Sequence, residues 1–170
     1  MGYRTKTYIA ADWDSDVDAV EKLHEWNNSS HWSLSFHDAH ELTQARDSSL
    51  YCSVKSSLKT RMDSSKAFIL IVGNNTDSVT KGGCQYCGSY NSHTLKCARG
   101  YSVDYKSYIK YECDQAVKAG IKIVVLYKSI YVNKSKCPAA VRDVGTHVAM
   151  WKKENGNYYW DYNAVKKALE

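Results

Sequence analysis

Residues 67–72 read AFILIV and run directly into Gly73-Asn74-Asn75-Thr76. An apolar run without alternation has no face to leave in water, so it reads as a strand covered on both sides, as in a parallel sheet. The Gly-Asn-Asn-Thr stretch that follows is a turn by composition. Residues 121–127, IKIVVLY, repeat the pattern. Before them, residues 108–119 place Ile109, Cys113, Ala116 and Val117 on one side of a helix, with Gly120 at the C′ position that favours glycine.

Working outward from these elements, residues 6–11 form a first short apolar strand that ends in Asp12-Trp13-Asp14-Ser15-Asp16. Asp14, Ser15 or Asp16 caps the next helix. There Val17, Val20, Leu23 and His24 recur at helical spacing, and Asn27-Asn28-Ser29-Ser30 closes the element. Residues 34–36 are a second, shorter strand. Leu50, Val54, Leu58 and Met62 then step by four along one helical face, behind the candidate caps Asp47, Ser48 and Ser49. Residues 148–151 are a weaker fifth strand and residues 162–169 a closing helix. Strands that alternate with helices predict an α/β fold, a parallel sheet with helices on both faces. Ligands of such folds bind beyond the carboxyl ends of the strands. The segments expected there are 12–16, 38–47 and 73–76.

A chain of 170 residues with 44% hydrophobic and 24% charged residues is expected to form one globular domain, spanning 1–170. Fourteen tyrosines and five tryptophans serve packing first and ligand contact second. The formal charge of +5 is scattered, with Lys152-Lys153 and Lys166-Lys167 the longest basic clusters. No nucleic acid is therefore expected as a partner, although a mildly basic surface helps attract an anionic small molecule. The first residues lack a signal-peptide pattern and no apolar run approaches a bilayer span, so the expected location is the cytosol and no membrane partner is expected.

Residues 77–104 carry no clear period and read as an insertion. A loop of that length needs something to order it. It holds Cys84-x2-Cys87-x5-His93-x3-Cys97, a set whose spacing suits a structural, tetrahedral zinc site. Cys52 or Cys113 are alternatives to His93, and free thiols are the alternative to metal. In a reducing compartment the six cysteines favour metal binding or packing over a disulfide framework.

KTYIAADWDSD (6–16), DAHELTQARDSS (38–49), SLKTRMDSSKAFILIVGNNT (57–76) and YIKYECDQAVKAGIKIVVL (108–126) occur in one order. Together they resemble the TIR-like family of bacterial Thoeris antiphage defence, over roughly residues 6–127. The resemblance implies a flavodoxin-like TIR fold. It also implies a hydrolase that cleaves NAD at the nicotinamide–ribose bond and makes a cyclic ADP-ribose-type signal, which activates a partner effector. Its catalytic glutamate lies in an aromatic-Glu segment on the helix after the third strand, which corresponds here to Tyr111-Glu112. A homo-oligomer is compatible with the same reading. The other readings are a TIR-type interaction module without catalysis and a nucleoside-processing glycosyl transferase on a similar sheet.

The chemistry fits a carboxylate. Breaking an N-glycosidic bond builds positive charge on the ribose, and a fixed negative charge beside it stabilises that oxocarbenium ion. Glu112 is the expected catalytic residue. For the substrate, Trp13 is a candidate to stack on a base and Asp12 to contact a ribose; the alternative is an acidic helix start. Arg46, before a helix N-terminus, is a candidate for pyrophosphate or a structural ion pair with Asp38 or Asp47. Asn74 and Asn75 fit a turn and are candidate substrate contacts. His37 and His40 are candidates for the same rim.

Overall fold

The computed structural model describes residues 3–39 and 50–170. Four strands form a parallel sheet: β1 (Lys6–Ala10), β2 (Ser65–Val72), β5 (Lys122–Tyr127) and β6 (Thr146–Ala149), in the order β1-β2-β5-β6. β2 pairs on both edges, with Ile69 opposite Ile9 on one side and Val124 on the other. The expected strand at 34–36 does not form. Instead a single parallel bridge joins Asp38 to Thr7, where Thr7 N–H donates to the His37 carbonyl at 2.7 Å and Ala39 N–H to the Thr7 carbonyl at 2.9 Å. Leu34 is buried in the core below, so its apolar character serves packing rather than the ladder. With that bridge counted, the spatial order of chain segments is 2-1-3-4-5, the flavodoxin-like order of a TIR-like α/β fold.

The alternation of each strand assigns its side chains to two cores. Tyr8, Ala10, Phe68, Leu70, Val72, Val125 and Tyr127 face α2 (Tyr51–Asp63) and α3 (Tyr108–Ala119). Ile9, Ile69, Ile71, Val124 and Leu126 face α1 (Val17–Asn28) and α4 (Tyr162–Leu169). Gly120 ends α3 with φ of 63°, as its position predicted. Leu58 and Met62 are buried and Val54 packs beside them, so the four-residue step of α2 faces the sheet. Leu50 precedes the helix in extended conformation, and Asp47, Ser48 and Ser49 lie outside the described residues.

Two parts of the chain differ from expectation. β6 ends at Ala149, before Trp151. The chain then turns at Met150 into an antiparallel hairpin, β7 (Trp151–Glu154) and β8 (Asn157–Trp160). Its turn residues Asn155 and Gly156 have φ of 50° and 80°, the paired positive values of a type I′ turn. The insertion, for its part, contains a 3-10 turn at Cys84–Tyr86 and a short hairpin, β3 (Tyr90–Asn91) with β4 (Lys96–Cys97). Among the described residues no helix is long and apolar enough to cross a membrane.

Leu58 is the first test of this packing. Leu58→Ala is expected to cost about 2–5 kcal/mol, the usual range for a buried leucine truncated to alanine. Equilibrium denaturant unfolding measures it, and an unchanged midpoint would contradict the burial of this face.

Candidate functional site

The carboxyl end of the sheet holds a cavity of about 500 Å³, bordered among others by Asp16, Gly73, Asn74, Lys128, Tyr131 and Lys136. Three strand ends meet there: the turn after β1, the turn after β2 and the segment after β5. Asp16 occupies the N-cap position of α1, yet its side chain makes no cap bond. Its carboxylate instead faces Lys128, 3.3 Å from Nζ, and is 1% exposed. Lys128 also donates to the Ser15 carbonyl at 2.9 Å and to Asp18 at 2.8 Å. Burial pushes the Asp16 carboxyl above the ordinary range, against the opposing pull of Lys128. Its Oδ2 is buried without a hydrogen-bond partner among the described residues.

Gly73 is where this arrangement is tightest. A Cβ there would lie 2.2 Å from Asp16 Oδ1, so only glycine lets the carboxylate reach the strand end. Lys136 donates to Asn74 Oδ1 at 2.7 Å, and Asn75 Nδ2 to Ser15 Oγ at 3.3 Å. Both lysines already serve acceptors of the protein, Lys128 the carboxylates of Asp16 and Asp18 and Lys136 the neutral amide of Asn74. Asn74 was legible as a candidate. Asp16, Lys128 and Lys136 were not, because nothing local marks a lysine after one strand as the partner of an aspartate after another.

Glu112 stands elsewhere. Ser107 caps α3 by accepting from Lys110 N–H at 3.2 Å, which starts the helix two turns before the end of the buried face. Glu112 is 7% exposed and accepts a 2.5 Å hydrogen bond from the Tyr8 hydroxyl in the middle of β1. Burial pushes the Tyr8 phenol well above its ordinary value, and the charge and hydrogen bond of Glu112 add to this. The phenol is therefore a persistent donor, and the carboxylate has a fixed partner. Tyr8 is a partner of Glu112 that sequence reading missed; inside an apolar strand it looks like core. Glu112 does not border the large cavity.

The remaining candidates fall apart in space or in description. Asp12 is buried and closes its own acidic turn, with Oδ1 accepting from Asp14 N–H at 3.2 Å. Trp13 is 49% exposed. Asp38 accepts from His24 Nε2 at 2.9 Å, an ion pair when the imidazole is protonated. His37 is exposed. Arg46 and His40 lie outside the described residues.

In the insertion, Cys84, Cys87 and Cys97 border one small cavity, and Cys52 from α2 joins them. His93 does not. It lies in the β3–β4 turn, where its N–H donates to Asn91 Oδ1 at 2.9 Å. All six cysteines are free, and among the described residues no three His, Cys, Asp or Glu side chains stand together as a ready metal site.

Comparison with known proteins accords with this fold. Residues 8–81 match the family model described as Thoeris protein ThsB, TIR-like domain. The matched segment runs from β1 through α1, α2 and β2 into the insertion, and ends before α3. No curated protein matches the chain.

The close contact at Gly73 yields a direct test. Gly73→Ala must displace Asp16 and is expected to lose about 1–3 kcal/mol of stability, as overpacking does. Asn74→Ala, at the exposed rim, serves as the control. Equal denaturation midpoints for the two variants would show that Asp16 yields without cost.

Proposed function

From the premise that residues 8–81 fall in the TIR-like family of Thoeris defence, we propose that this protein cleaves NAD at the nicotinamide–ribose bond, with Glu112 as the catalytic carboxylate. The observation that carries the reading is the buried Glu112 held by the Tyr8 hydroxyl at 2.5 Å. A carboxylate is costly to bury unless a donor compensates it. One kept at a defined point on a helix over the sheet is pre-placed to meet developing positive charge.

In the proposed reaction the C1′–N bond breaks and its electron pair goes to the nicotinamide ring, which leaves neutral. Positive charge spreads over C1′ and the ring oxygen, and the Glu112 carboxylate stabilises it. Capture of C1′ by a nucleophile within the same ADP-ribose closes a cyclic ADP-ribose-type product, and capture by water gives the linear one. The cyclic product would serve as the signal to a downstream effector. Tyr8 is a positioning residue in this scheme, since it acts through Glu112. Asp12, Trp13, Arg46 and Asn74 remain the proposed substrate contacts.

The separation of Glu112 from the large cavity favours a second reading, a TIR-type interaction module without catalysis. Product analysis separates the two. Incubation with NAD, in lysate of phage-infected cells where a trigger is required, is expected to release nicotinamide. Glu112→Gln is expected to abolish release while retaining the native circular dichroism spectrum; full turnover by the folded variant would refute the assignment. Tyr8→Phe removes a donor to the charged form of Glu112, which raises the pH needed to keep the carboxylate ionised. The acid limb of its activity profile is therefore expected to move to higher pH. A limb that stays in place would remove Tyr8 from the mechanism.

A further inference from the structure

The small cavity in the insertion is the strongest feature that the proposed reaction does not use. It has a volume of about 10 Å³ and is bordered by Cys52, Cys84, Cys87 and Cys97. A void of that size is near the space of one water-sized sphere. Four cysteines among the residues around so small a volume are an unusual lining for a packing defect, because larger apolar side chains would fill it better.

Each cysteine is brought to the void by a separate structural device. Cys84 opens the Cys84–Tyr86 3-10 turn and Cys87 caps its end, where Cys87 N–H donates to the Cys84 carbonyl at 3.0 Å and keeps the two residues close. The next bond, Tyr90 N–H to the Cys87 carbonyl at 3.0 Å, leads into β3. Pairing of Tyr90 with Cys97 across the hairpin returns Cys97 to the turn. The Asp104 N–H donates to Cys84 Sγ at 3.3 Å, which ties this cysteine to the far end of the insertion.

The fourth thiol comes from outside the insertion. Cys52 and Lys55 stand three residues apart on α2, hence on one face. Lys55 is buried, and its ammonium reaches the insertion's exit: the Lys106 carbonyl at 2.7 Å, the Asp104 carbonyl at 3.2 Å and the Asp104 carboxylate at 3.2 Å. Tyr51 also meets Tyr108 edge to face, with centroids 5.6 Å apart. These contacts fix the start of α2 against the insertion independently of any metal. By contrast, Cys113 and Cys137 are wholly buried in the sheet-facing core, where burial pushes both thiols up.

We propose that Cys52, Cys84, Cys87 and Cys97 bind one zinc ion as a four-thiolate site that clamps the insertion to α2, with no part for His93. Soft thiolates in a tetrahedral set of four select zinc and leave no open position for catalysis. The sulfurs border the void without yet forming one coordination sphere. A cysteine sulfur moves about a single side-chain torsion, and metal binding would require the four sulfurs to converge. Metal binding would supply the ordering energy that a segment with few aliphatic side chains lacks. The site is independent of the NAD reading.

Protein purified under reducing conditions without chelator is expected to carry about one zinc per chain, by elemental analysis. X-ray absorption at the zinc edge should then show a sulfur-only first shell at about 2.3 Å. Cys52→Ser is expected to weaken zinc in chelator competition by more than the ~10–100-fold typical of an outer-shell loss, whereas His93→Ala leaves it unchanged. A first shell containing one nitrogen at about 2.0 Å, or zinc lost in His93→Ala and kept in Cys52→Ser, overturns the ligand set. Zinc below about a tenth of an equivalent after reconstitution, or a disulfide among the four by mass spectrometry, overturns the site. Because the absorption measurement uses the unmodified protein, poor folding of a variant leaves the decision intact.

Discussion

Everything in this chain hangs on β2 being paired on both edges while apolar on both faces. Its ladder to β1 and β5 satisfies the backbone groups, and its side chains must then be covered twice. Parallel pairing cannot be closed by a tight turn, so the connections cross one face or the other, through α1, α2 and α3 and, between β5 and β6, through a segment of 3-10 turns. α2 and α3 cover the Tyr8–Phe68 side, α1 and α4 the Ile9–Ile69 side. The same constraint gathers the turns that follow the strands at one end, and the cavity of about 500 Å³ opens there.

Polar groups inside this frame are tolerated where another element answers them. Glu112 and Tyr8 are 104 residues apart and share a buried hydrogen bond. Asp16 and Lys128 meet across the ends of β1 and β5. Lys55 leaves α2 to meet three oxygens of the segment before α3. Each pair joins parts of the chain that the sheet alone does not join. Removing one member of such a buried pair is costlier than losing a surface pair.

The insertion thereby has a mechanical relation to the candidate catalytic helix. Its exit residues bond to α2 through Lys55, and Ser107 immediately afterwards caps α3. α2 and α3 pack on each other over the same sheet face that carries Tyr8. The insertion is thus joined to the helix of Glu112 by direct contacts, at the start of that helix and through α2.

Local patterns were enough for much of this. The unbroken run 67–72, the four-residue step of α2, the helix that ends at Gly120 and the closing helix all depend on neighbours within a few residues, and all were legible. So were the motifs of the Thoeris TIR-like resemblance, of which the matched segment is 8–81. The Asn155-Gly156 hairpin is local too, a turn dipeptide between two short strands that carry aromatic residues. Residues 34–36 failed as a strand because apolar character does not say whether a segment pairs or packs. The partnerships of Glu112 with Tyr8 and of Asp16 with Lys128 were decided by tertiary structure alone, and tertiary structure placed Cys52, one of the alternatives that the sequence offers, at the cavity of the insertion cysteines. Sequence spacing determines which side chains share a face of one element; strand order and the path of the crossovers determine which faces meet.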